Sequence, residues 1–272
     1  MTLRGVGAVA SVELSKLLAQ LKVRLLFAVC VVAPFGFAAV VLVQTSLPTD
    51  TLFGRAVKDS GLAISLVILG FAALWGLPAV SSITGGDVFS AEDRYNTWKT
   101  VLTRSRTRTE IFTGKLIAAL GVSGAAVLVL ALSSFAAGVL VVGAQPIVGL
   151  SGVLLSPQDA SARIGLAWLS VLPPVLALTA VAMAVSIVTR SGAAGVGLPV
   201  LAALAMQLLA LIDGPELPRR LLITSAFGAW HGLLADPHFY GPLFDAMLVS
   251  AGYAAAAVFV GYRTLRRQEI GG

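Results

Sequence analysis

Charged side chains are scarce in this chain, with 19 Lys and Arg and 13 Asp and Glu among 272 residues, or 12% against roughly a quarter in soluble domains. None of them, and neither histidine, lies inside the long apolar runs. Ion-coupled transport, proton pumping and intramembrane catalysis use ionisable groups at depth to carry the ion, the proton or the chemistry, so this absence argues against all three. The polar handles left in the runs are Ser, Thr, Gln207, Trp75 and Trp168. A pathway built from them suits an apolar or amphipathic substrate and needs energy from elsewhere. Cysteine is nearly missing too. Cys30 stands alone within the first apolar run, which rules out a disulfide framework and a thiolate metal cluster. The two histidines, His231 and His238, have Asp236 nearby but too few further ligands for a metal site, and are expected as solvated or capping residues.

What the chain has instead is apolar length. Hydrophobic residues make up 57% and the mean hydropathy is +0.93, values of a polytopic membrane protein. About 20 residues cross a hydrocarbon core of about 30 Å. Six spans are expected, at 25–47, 60–84, 116–142, 164–189, 191–212 and 246–262. The third run continues to Gln158 through Gly143, Pro146, Gly149, Gly152 and Pro157, and is read as a helix to about Val142 followed by an apolar connection. A seventh span there would put the C-terminus on the opposite side and spoil the charge distribution. With six spans, the side that holds both termini collects 14 Lys and Arg and the other side five: Arg55, Lys58, Arg163, Arg219 and Arg220. The positive-inside rule then makes both termini cytoplasmic in a multi-pass cell-membrane protein. The net charge of +6 reflects this orientation and is no argument for a nucleic-acid partner.

No cleavable signal pattern precedes the first span, because the apolar stretch begins only after Arg24. Residues 1–24 are expected to form a helix lying in the cytoplasmic interface. Val12, Leu14, Leu17, Leu18 and Leu21 fall on one side and Glu13, Lys16, Gln20 and Arg24 on the other. A plain extension of the first span is the competing reading. Pro173 and Pro174 favour a kink in the fourth span, and Pro34, Pro78 and Pro199 mark three more places where a helix loses a backbone hydrogen bond.

Between the second and third spans lies a polar island, Gly85 to Lys115, with ten of the 32 charged side chains. Ser90 and Asp93 carry the spacing of a capping box. Val88, Ala91, Tyr95, Trp98 and Leu102 then form one stripe, with Glu92, Asn96, Lys99 and Thr103 on another face, so 88–104 is expected as a short amphipathic helix. Arg104, Arg106 and Arg108 alternate after it, and Thr107 with Glu110 forms a second capping box at the entry to the third span. Two readings fit. The aromatics lie among lipid headgroups with the arginines on anionic lipid, or one face packs on the bundle and the other docks a soluble partner.

The string Ser90-Ala-Glu-Asp-Arg-Tyr-Asn-Thr-Trp-Lys-Thr-Val-Leu102, with Ser105-Arg106 and Gly114-Lys115, resembles the cytoplasmic loop of type 2 ABC-transporter permeases. Asn96 stands where that family often has Gly. The resemblance implies an all-α polytopic fold with six transmembrane helices, an N-terminal interfacial helix and a coupling helix between spans 2 and 3. It implies a permease subunit of an ATP-driven exporter that pairs with a second permease, a homodimer favoured over a heterodimer, and binds two copies of an ABC ATPase. Glu92, Arg94, Tyr95, Thr97, Trp98, Lys99, Leu102 and Arg104 are the expected ATPase-coupling residues. No phosphate-cradling loop surrounds Gly114-Lys115, so no cofactor is expected in this chain, and ATP and Mg belong on the partner. In the family, segments comparable to 213–245 form short helices that dip toward the membrane and cap the exit of the pathway. Here Leu221 to Ala235 is uncharged and 15 residues long, which also fits an interfacial helix anchored by Trp230. Two other classes remain open on the sequence: a membrane scaffold without a pathway, and a membrane-embedded enzyme using His231, Asp236 and His238.

Overall fold

The computed structural model describes residues 2–44, 51–94, 107–210, 212 and 216–268. Among these, six helices are long and apolar enough to cross a membrane: span 1, Leu21–Val43; span 2, Gly61–Gly85; span 3, Arg108–Val141; span 4, Pro157–Thr189; span 5, Gly192–Ala210; and span 6, Gly241–Arg267. The class is therefore the expected one, all-α and polytopic. Span 3 starts eight residues before the apolar run because the Thr107–Glu110 capping box opens it early. The Thr107 hydroxyl accepts the Glu110 N–H at 3.2 Å, and the Glu110 carboxylate accepts the Thr107 N–H at 3.2 Å.

Spans 2 and 4 are the most buried, and spans 1, 5 and 6 present most of their surface outward. Hydroxyl groups join the inner spans. Ser123 of span 3 bonds Thr179 of span 4 at 2.9 Å and also meets Thr84 of span 2. Ser65 of span 2 bonds Ser134 of span 3 at 3.0 Å and accepts the Trp168 indole N–H of span 4 at 3.1 Å. Such bonds between membrane helices contribute about 0.6 kcal/mol each on average. Trp168 is thus a buried tie, whereas Trp75 is turned out of the bundle.

The in-span prolines follow one rule. A proline at position i leaves the carbonyl at i−4 without its helical donor, and in each of three spans a neighbouring span covers that carbonyl. Pro34 frees the Cys30 carbonyl, which accepts from Ser133 of span 3. Pro78 frees the Leu74 carbonyl, which accepts from the Gln207 side chain of span 5. Pro199 frees the Gly195 carbonyl, which lies against Gly86, so closely that a Cβ on Gly86 would sit 2.5 Å from the oxygen. Just before Pro78, span 2 widens into one π turn, Ala72–Gly76, with the Leu77 N–H bonded to the Ala72 carbonyl. Pro173 and Pro174 do not kink a continuous helix. Span 4 consists of two helices, Pro157–Ser170 and Leu172–Thr189, that meet at Val171, and the prolines stand in the first turn of the second, where a missing N–H costs nothing.

The connection after span 3 is a small antiparallel hairpin pairing Ile147 with Leu155 and Val148 with Leu154. It ends at Ser156, whose hydroxyl caps span 4 by accepting the Asp159 N–H. At this same end of the bundle, Ile223–Ala226 and the 3-10 turn Ala229–Leu234 pack inward. Ile223, Phe227, Trp230 and Leu234 join the core of spans 2, 3 and 4. Trp230 is 1% exposed, so it anchors the segment to protein and not to lipid.

Candidate functional site

The N-terminal helix, Leu3–Ala19, ends at Gln20 in extended backbone, and span 1 starts at Leu21. Past its first turns it buries one residue from each side of the amphipathic pattern, Glu13 and Leu17. Val12, Leu14 and Leu18 face away from the bundle, while Glu13 is buried against it beside Leu17. Contact with span 3 is close at Gly114, where a Cβ would sit 2.6 Å from a Val9 methyl. Thr2 anchors the other end of the helix, with its N–H and hydroxyl both donating to Glu110 at 2.9 and 3.0 Å.

Glu13 is inward because Lys115 is there. The Lys115 ammonium, 1% exposed, donates to Glu13 at 2.8 Å, to Glu92 at 3.0 Å and to the Val88 carbonyl at 2.9 Å, which satisfies its three donors. The Phe89 ring lies beneath it at 5.4 Å. Lys16 closes the group, 2.8 Å from Glu13 and 3.1 Å from Glu92. Burial works against the Lys16 ammonium, but the bonds and charge of Glu13 and Glu92 outweigh it and raise its pKa. Two carboxylates balance two ammonium groups across three elements. A buried charge is tolerated when paired and hydrogen-bonded in this way.

The segment leaving span 2 is fixed at further points. Asp87 pairs with Lys22 of span 1 at 2.9 Å and with Arg94. Ser90 does not cap the helix Ser90–Arg94; its hydroxyl donates to Asp87 at 3.0 Å, and its N–H donates to Ser186 of span 4 at 3.1 Å. Arg108, read in the sequence as one of an alternating basic series, turns to the end of span 6 and reaches the carbonyls of Leu265, Arg266 and Gln268 at 2.9 to 3.0 Å. The foot of span 3 therefore gathers the N-terminal helix, span 1, the start of the island and the end of span 6.

Of the residues expected at the ATPase contact, Glu92 and Arg94 are described, and both are engaged inside the chain. Glu92 is 4% exposed, so it holds the island to the bundle. Tyr95, Thr97, Trp98, Lys99, Leu102 and Arg104 lie outside the described residues. The sequence reading missed Glu13, Lys16 and Lys115 as partners of Glu92. Their one local signal is the i, i+3 spacing of Glu13 and Lys16; the rest is contact over separations of 23 to 102 residues.

At the opposite end, His231 and His238 direct Nδ1 to the carbonyls of Gly228 and Ala235, which assigns the proton to that nitrogen. Asp236 lies 3.6 Å from Arg163. Among the described residues no group of three or more His, Cys, Asp or Glu side chains is placed to hold a metal ion. Burial lowers the His231 pKa against the opposing pull of the Gly228 carbonyl.

These elements can transmit a displacement of the island to four parts of the bundle. No curated protein matches the chain. Residues 10–205 match the family model described as ABC-2 family transporter protein, a stretch that begins within the N-terminal helix and extends into span 5. The chain belongs to that family and is a membrane permease component of an ABC transporter.

Proposed function

We propose that this chain is the membrane-spanning half of an ATP-driven exporter in the cell membrane, with both termini cytoplasmic, and that residues 88–104 couple it to the ATPase. The observation that carries the reading is the Glu13–Lys16–Glu92–Lys115 cluster. It ties the start of the coupling segment to the N-terminal helix and span 3, with Asp87 and Ser90 adding spans 1 and 4. A push on the segment then moves helices together. Glu92 and Arg94 hold the base of the lever, and Tyr95, Thr97, Trp98, Lys99, Leu102 and Arg104 form its contact with the partner.

The working assembly is two permease chains, a homodimer, with two ATPase subunits that bind ATP and Mg. Spans 1 and 5 supply apolar outward faces for the second copy, Leu201 and Leu208 of span 5 among them. Aromatic anchors at interfaces often contribute 2 kcal/mol or more, so Trp98→Ala with Tyr95→Ala is expected to weaken ATPase association at least about 30-fold. The test is recovery of the ATPase with tagged chain from native membranes in mild detergent. A full ATPase complement on the double variant sinks the coupling assignment.

A further inference from the structure

Two depressions flank Phe71 in span 2, and their chemistries differ. Toward the middle of the bundle, spans 1 and 2 enclose a groove of about 580 Å³ whose lining has no side-chain nitrogen or oxygen. Ala33, Ala72, Gly76 and Ala79 line it with almost no side chain, and the π turn at Ala72–Gly76 makes part of its wall. Toward the end opposite the termini lies a second cavity of about 360 Å³, roofed by residues 224–231. Thr51, Gln207, Thr224, Ser225 and His231 bring polar groups to it, and among the described residues its lining holds no carboxylate, lysine or arginine. Phe71 lines both and is 44% exposed. Thr224 Oγ1 and the Trp230 indole N–H, on the cavity wall, have no hydrogen-bond partner among the described residues. An unmet buried donor is costly and marks a place where a polar atom is wanted.

We infer that the two depressions form one binding site for a single-tailed amphipath with an uncharged, hydrogen-bonding head: head in the cavity among Gln207, Thr224 and Ser225, tail over Phe71 into the groove between spans 1 and 2. The order along the bundle is the order of a bilayer: the cavity runs from Thr51 and residues 224–231 down span 2 to Leu74, and the groove continues along span 2 to Val80, so the head lies nearer the loops and the tail nearer the midplane. Together the volumes fall within those of small-molecule sites, which combine apolar walls with a few placed polar groups. The described lining of the cavity carries no charged side chain, which selects against an ionised head, because a buried phosphate or carboxylate would lack a counter-charge among these residues. The proposal rests on the permease reading and names its substrate class.

The test uses the full chain with its ATPase in nanodiscs and a monoacylglycerol whose tail carries a photoactivatable diazirine, with sites mapped by mass spectrometry. Adducts are expected on the groove faces of spans 1 and 2, displaced by unlabelled 1-oleoylglycerol but not by oleate. Ala33→Trp, which fills the groove, and Thr224→Val, which removes a hydroxyl without changing shape, are each expected to lower those adducts at least 5-fold. Copurification of the ATPase with each variant shows that it has folded. Adducts spread over all outward faces and unmoved by either variant mean boundary lipid only and overturn the proposal, as does equal competition by oleate. Failure of the ATPase to accompany even the unaltered chain would strike at the permease reading instead, while groove-specific adducts would still stand.

Discussion

Lys115 shows how one side chain can organise a site that no local pattern announces. Its three donors are met by two carboxylates and a carbonyl from elements up to 102 residues away. Removing it leaves Glu13 and Glu92 buried with Lys16 as their shared ammonium partner among the described residues, itself half in solvent. Breaking a buried pair from one side costs about 3–5 kcal/mol, so Lys115→Met is expected to destabilise the detergent-solubilised protein by that amount. Lys16→Met, at the exposed corner, should cost about 1 kcal/mol or less. Adding Glu92→Gln to Lys115→Met removes one uncompensated charge and should recover part of the loss. Thermal unfolding of the four proteins measures all of this, and equal small effects from both lysines would refute the cluster as the support of the island.

At the scale of elements, the apolar runs announced six helices, because a charge-free run of 20 residues in a bilayer has few other ways to satisfy its backbone. The Thr107–Glu110 box was legible for the same local reason. Long-range matters were not. The prolines were visible, but which neighbour covers each freed carbonyl depends on how the spans are arranged around one another, and no periodicity records that. Glu13 lay on the polar side of its helix by spacing, yet it is buried, because Lys115 waits there, while Lys16 on the same side stays half exposed. Spans 2 and 5 provide the test. In Gln207→Leu the Leu74 carbonyl loses its donor, at an expected cost of about 1–3 kcal/mol. Pro78→Ala restores a backbone N–H at the position that pairs with that carbonyl, so Gln207→Leu in this background should cost less than about 0.5 kcal/mol of the same term. Additive effects of the two substitutions would show that Gln207 and Pro78 do not share the carbonyl.

At the scale of the whole molecule, the two ends of the bundle are chemically distinct. One carries Glu13, Lys16, Lys22, Asp87, Glu92 and Lys115 in linked ion pairs and receives both ends of the described chain at the foot of span 3. The other carries the hairpin and the inward-packed segment 223–234, with core side chains where the first end has charges. The proposed lever lies at the charged end, and the proposed amphipath site lies under the segment at the other. The count of 14 basic residues against five supports the proposal that the charged end is cytoplasmic. Gln158 and Arg267 are exposed and stand at opposite ends of the bundle, so in a Cys30→Ala background Gln158→Cys and Arg267→Cys report the two sides. A membrane-impermeant maleimide on intact cells is expected to modify the first and to reach the second only after permeabilisation. The reverse pattern would place the linked charges on the outer face, where no ATP-driven partner can reach them, and the coupling role of residues 88–104 would fall with the orientation.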